Sequence, residues 1–180
     1  RPVLVILLTL LAALPVRALD TSAGTLRIEE VARGLDLPWS IGFMPDGGIL
    51  VTEKAGRLLL IRDGRAQDVA GLPQIEEDGQ GGLLDVLVPR DFALSREIFL
   101  THAIRQGSGS GTALSRGVLS ADGRRLTDVR TLFEMAPGSS GGRHFGSRIV
   151  EGPQGHLFVT IGERGDRPSA QDLSRHNGSV

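Results

Sequence analysis

Three polar side chains recur at one spacing along this chain. Asp36, Gln80 and His144 each stand nine residues before a turn proline, Pro45, Pro89 and Pro153. A carboxylate, an amide and an imidazole on one ring are what a polar site would look like. An imidazole titrates near pH 6.5, so at ambient pH it is a neutral base able to take a hydroxyl proton. A glutamine both donates and accepts hydrogen bonds. The loops beside these residues are "EEDGQGG", "PGSSGGRHFG" and "GERGDRPSAQD". They are polar and rich in glycine, which lets backbone approach a ligand closely. A histidine beside a strand is also a common structural residue, and His102, His156 and His176 show no such pattern and are read that way. Trp39, the only tryptophan, is read as packing of the first repeat.

The elements that carry these residues repeat. "SIGFMPDGGILVTE" (Ser40 to Glu53) aligns with "RIVEGPQGHLFVTI" (Arg148 to Ile161), with Pro45 on Pro153 and Gly47 on Gly155. "LLDVLVPRDFALSREIFLT" (Leu83 to Thr101) is a looser copy with a longer turn. Each is a short apolar run, a turn and a second run of β-branched and aromatic residues, which predicts a hairpin. "RLLLIRDG" and "ALSRGVLSADGRRLTDVRTLFE" add further strands after the first and second copies. Thr52, Thr101 and Thr160 close the second runs at intervals of 49 and 59 residues. Repeats of about 40–50 residues with four strands each are the mark of propeller blades. A β-sandwich with chance similarity between hairpins is the alternative. Equivalent positions of successive blades lie on a ring around the axis, so Asp36, Gln80 and His144 are predicted to share one end of it.

About three blades do not close a ring, so the chain is expected to be the N-terminal part of a larger propeller, inactive by itself. Composition narrows the class. The formal net charge is −1, against a nucleic-acid partner. Cysteine is absent, which excludes disulfides and thiolate chemistry. Arg1 followed by the apolar run Val3–Leu14 and a short segment ending in Ala18 reads as a signal peptide over residues 1–18. That leaves 19–180 as the propeller part, periplasmic or secreted, with no membrane span after cleavage.

"GLDLPWSIGFMPDGGILVTEKAGRLLLI", "DGQGGLLDV" and "GGRHFGSRIVEGPQGHLFVTIGERGDR" together resemble the soluble quinoprotein sugar dehydrogenases. This is the glucose/sorbosone dehydrogenase family, in particular its aldose sugar dehydrogenase branch. The resemblance covers Leu35 to Val180. It implies an all-β, six-bladed propeller that binds pyrroloquinoline quinone (PQQ) and calcium and passes electrons to an acceptor. It implies oxidation of aldoses to lactones at the anomeric carbon. By the same resemblance His144 is the general base, Gln80 lines the site, and Glu163 lies near the cofactor. Arg143 stands where some members carry an acidic residue. The calcium ligands and the partners of the PQQ carboxylates are expected beyond Val180. A calcium-dependent lactonase and a non-enzymatic binding propeller share the architecture and remain the alternatives.

Overall fold

The computed structural model describes residues 17–180. The predicted signal segment, 1–18, lies outside them except for the backbone of Arg17 and Ala18. The chain forms two compact units, one ending at Arg33 and one spanning Gly34–Val180. In the first, β1 (Arg17–Thr21) pairs antiparallel with β2 (Gly24–Ile28).

The second unit holds the repeats. Strands β3 (Pro38–Phe43), β4 (Ile49–Glu53), β5 (Arg57–Arg62) and β6 (Arg65–Asp68) form a four-stranded antiparallel sheet in sequence order. Strands β7 (Leu83–Leu87), β8 (Glu97–Gln106), β9 (Gly109–Leu119) and β10 (Leu126–Glu134) form a second one. Strands β11 (Gly146–Glu151) and β12 (Leu157–Ile161) pair as a third hairpin. The predicted hairpins are all present. The longer turn of the middle copy is occupied by a single helical turn, α1 (Phe92–Ser95). The matched turns work the same way. Gly47 and Gly155 have φ of +85° and +79°, a region that glycine enters without the steric cost a Cβ brings.

The three sheets are successive blades of a propeller. The first strand of each blade packs against the first strand of the next, β3 on β7 and β7 on β11. The chain thus supplies two full blades and the leading half of a third. The main core lies between the first two blades, where Leu50, Leu58, Leu83, Ile98 and Leu100 are almost fully buried. Residues on the facing sides of both sheets are apolar at alternate positions, as stacked sheets require.

The repeated threonines join the blades. Thr52 accepts the Ser40 N–H (3.0 Å) in its own blade and donates to Leu84 O (2.6 Å) in the next. Thr101 accepts the Asp85 N–H (2.9 Å) and donates to Ser147 O (2.7 Å), again one blade on. Thr160 accepts the Arg148 N–H (3.0 Å) in the third blade. Both Thr52 and Thr101 are fully buried, where an unpaired hydroxyl or amide is costly. A buried carboxylate adds a second tie. Asp85 on β7 takes hydrogen bonds from Ser40 on β3, from Arg148 Nη1 (2.8 Å) and from Ile149 N–H (2.7 Å) on β11.

Candidate active site

His144 begins the third blade, two residues ahead of β11. Three loops converge on it. Its backbone N–H donates to Gln80 Oε1 (2.8 Å), and the Gln80 N–H donates to Gly142 O (2.8 Å). The loop ahead of β7 and the loop ahead of β11 are therefore stitched together at both ends of Gln80. Its oxygen accepts the His144 N–H, and its amide N–H groups remain as donors. Lys54, at the end of β4, supports the same loop through Gly79 O (3.0 Å) and Glu77 (2.8 Å).

Glu163, just past β12, binds His144 Nδ1 through Oε1. The hydrogen bond from His144 holds the Glu163 carboxyl below its usual 4.5. An ionised carboxylate only accepts hydrogen bonds. In the neutral ring, therefore, the proton sits on Nδ1 and the lone pair on Nε2. The His144 side chain is 46% exposed, so that lone pair is accessible. A carboxylate orienting an imidazole in this way makes its far nitrogen a directed base.

The backbone here is strained. His144 has φ +53° and Arg164 φ +61°, a left-handed conformation that costs a side-chain-bearing residue about 1–3 kcal/mol and clusters at functional sites. The crowding has one visible requirement. Gly162 lies against the His144 carbonyl so closely that a Cβ there would collide with it.

Of the residues singled out in the sequence, Gln80, His144 and Glu163 meet. Asp36 does not join them through any hydrogen bond among the described residues. It is exposed, and its backbone N–H donates to Glu53 Oε1 (2.6 Å). Trp39 packs on the buried Leu84, Ala103 and Phe145. It also lines a cavity of about 230 Å³ with Pro38, Ser40, Ile41 and Arg148, and Arg148 stacks over its ring at 5.3 Å. The other histidines are structural. His102 is buried, its Nε2 2.9 Å from Ser115 Oγ, and burial pushes its imidazole down from 6.5. His176 Nδ1 accepts the Ala136 N–H (2.9 Å), and His156 is exposed in the β11–β12 turn. Sequence reasoning missed Lys54, Asp78, Ser110 and Arg164. Asp78 stood in the same quoted motif as Gln80, and Arg164 directly after Glu163.

The family follows from comparison with known proteins. The family model Glucose / Sorbosone dehydrogenase matches residues 35–180. The chain belongs to that family. It is 40% identical over 167 residues to "Aldose sugar dehydrogenase YliI" of Escherichia coli (strain K12), covering 91% of this chain and 45% of that protein. The chain thus spans about half the length of this curated relative. The crystal structure of the apo-form of the soluble aldose sugar dehydrogenase of Escherichia coli superposes with a TM-score of 0.76 at 41% identity, over 79% of this chain and 42% of that one. The PQQ-bound aldose sugar dehydrogenase of Streptomyces coelicolor superposes at 0.74 and 25% identity, over 83% and 45%. The expected all-β propeller is thereby established, and this family member carries part of it.

No helix among the described residues is long and apolar enough to cross a membrane. Among them, too, no cluster of three or more His, Asp or Glu side chains has metal-binding geometry.

Proposed function

We propose that the whole protein is a periplasmic or secreted PQQ-dependent aldose dehydrogenase that oxidises its sugar at the anomeric carbon to a lactone. The observation that carries this reading is the His144–Glu163 pair. An accessible imidazole nitrogen, with the proton held on the opposite nitrogen, is what removal of an anomeric hydroxyl proton requires. Membership of the Glucose / Sorbosone dehydrogenase family and the PQQ bound by one structural relative support the choice of reaction and cofactor.

Gln80 and His144 would be the residues of this chain that meet PQQ, through hydrogen bonding to its oxygens. Gln80 presents an amide beside His144, suited to a quinone or carboxylate oxygen. PQQ, when bound, supplies a quinone that accepts the hydride from the anomeric carbon. The chain's own residues do the rest. His144 Nε2 takes the hydroxyl proton as the C–H bond breaks and the carbonyl of the lactone forms. Glu163 keeps Nδ1 protonated and stabilises the imidazolium that results. Gln80 fixes the backbone of the base by accepting the His144 N–H at Oε1. A correctly placed base of this kind contributes on the order of 10²–10⁴-fold. Calcium is proposed as the second cofactor. The side chains described here do not fit a calcium site, and no step is assigned to it.

The test is reconstitution. Full-length apo-protein is given PQQ and calcium, then a panel of aldoses and an artificial electron acceptor, and dye reduction is followed. Reduction dependent on both PQQ and sugar is expected. No reduction with any aldose would remove the reading.

A further inference from the structure

Arg164 is almost fully buried, with 2% of its surface exposed. It forms no salt bridge among the described residues. Its Nη1 donates to the Arg143 carbonyl, and its Nη2 donates to Ser110 Oγ (2.9 Å). Its guanidinium carbon lies 3.3 Å from the centre of the Phe145 ring. Its Nε is buried without a partner. Burying a cation on such terms is costly, and an apolar side chain of similar volume would cost less. The position therefore calls for an explanation other than packing.

The contacts supply one. Residues 143 and 145 are the two chain neighbours of His144, and one guanidinium grips both. The residue before Arg164 is Glu163, whose carboxylate holds the imidazole itself. One dipeptide thus fixes the base twice, by its imidazole and through its two neighbours, the Arg143 carbonyl and the Phe145 ring. The network reaches further. Ser110 Oγ–H, on β9, donates to Asp78 Oδ2 (2.7 Å), and Asp78 lies two residues before Gln80. Asp78, Ser110 and Arg164 therefore connect the loops that carry Gln80, His144 and Glu163. Both His144 and Arg164 sit at positive φ, and a strained backbone persists only where its surroundings over-determine it.

We infer that Arg164 is the positioning residue of the site. Through Arg143 O, Phe145 and the Ser110–Asp78 bridge, it holds His144 Nδ1 on Glu163 and so sets the direction of Nε2. This deepens the proposed function and rests on it for the role of His144. The geometric claim stands without it.

The test uses the full-length apo-protein, with neither PQQ nor sugar. A proton held between imidazole Nδ1 and a carboxylate gives a downfield, exchange-protected NMR signal, which His144→Gln and Glu163→Gln assign. In Arg164→Met, with unchanged circular dichroism, that signal is expected to disappear. In the reconstituted enzyme kcat should fall at least about 10-fold with KM little altered, because a base displaced by an ångström costs up to about 10²-fold. Added guanidinium should restore part of the signal to Arg164→Ala. If Arg164→Met does not fold, Ser110→Ala is read in the same way. A folded variant that keeps the signal and the wild-type kcat overturns the proposal. A wild-type protein that oxidises no sugar, yet loses the signal with Arg164, would sink the enzymatic reading and leave the positioning role standing.

Discussion

The carboxylate of Glu163 sits on Nδ1 of His144, although the two residues are nineteen positions apart and stand before and after a hairpin. Strand β11 runs away from His144, and β12 returns to deliver Glu163 beside it. The two strands are antiparallel, with Gly146 opposite Ile161, so base and orienting group come back to the same end of the blade. Replacing Glu163 by Gln keeps the shape and removes the charge that selects the Nδ1–H tautomer. We expect kcat to fall by on the order of 10²-fold, the lower end of a general base's contribution, with PQQ binding retained. Steady-state kinetics and a PQQ titration check this.

The same pair has a pH signature. A depressed carboxylate contributes stability above its unfolded pKa, and loses it as pH falls through the lower folded value. The Glu163 contact should therefore survive throughout the neutral and weakly acid range and fail only below the ordinary glutamate value of 4.5. A carbon-detected NMR titration of the Glu163 carboxyl is the measurement. A midpoint above 4.5 would contradict it.

His102 works in the opposite register. Its buried ring resists protonation, while an unfolded chain accepts a proton at about pH 6.5. Between those two values the unfolded state binds more protons, so stability declines as pH is lowered from 6.5 towards the folded pKa. In His102→Leu this part of the slope should vanish, because leucine does not titrate, while Ser115 Oγ keeps Thr131 Oγ1 at 3.2 Å. Urea unfolding of both proteins across that range reads the difference.

Thr101→Val tests the tie between blades. The change keeps the shape but strands the Asp85 N–H and the Ser147 carbonyl, both in buried surroundings. A loss of about 1–3 kcal/mol is expected, measured by denaturant unfolding of the full-length protein. Ser147 is the second residue of β11, three after His144, so kcat should fall as well.

Gly162→Ala is a steric test of the site floor. Its Cβ would meet the His144 carbonyl, pushing the base away from Glu163. Activity should drop more steeply than stability, judged by kcat beside the melting temperature.

Much of this protein was legible in one dimension. Turn chemistry at Pro45–Gly47 and Pro153–Gly155, with alternating apolar residues on each side, determined the hairpins. Their repetition determined the propeller. Counting back from the turn prolines found Gln80 and His144, because equivalent positions of successive blades fall at the same end of the axis. That count also proposed Asp36, which makes no hydrogen bond to the cluster. Position in a repeat places a residue at one end of a blade, but loop conformation decides where its side chain goes. Whether Glu163 faces His144 or solvent depended on the registry of β11 and β12. Whether Arg164 is a surface charge or a buried grip depended on a left-handed backbone and on Phe145 lying beneath it. Local sequence controls strands and turns through steric and hydrophobic preferences a few residues long. Contacts between the second and third blades exist only once the blades have packed, and for that reason the Asp78–Ser110–Arg164 network belongs to the tertiary structure alone.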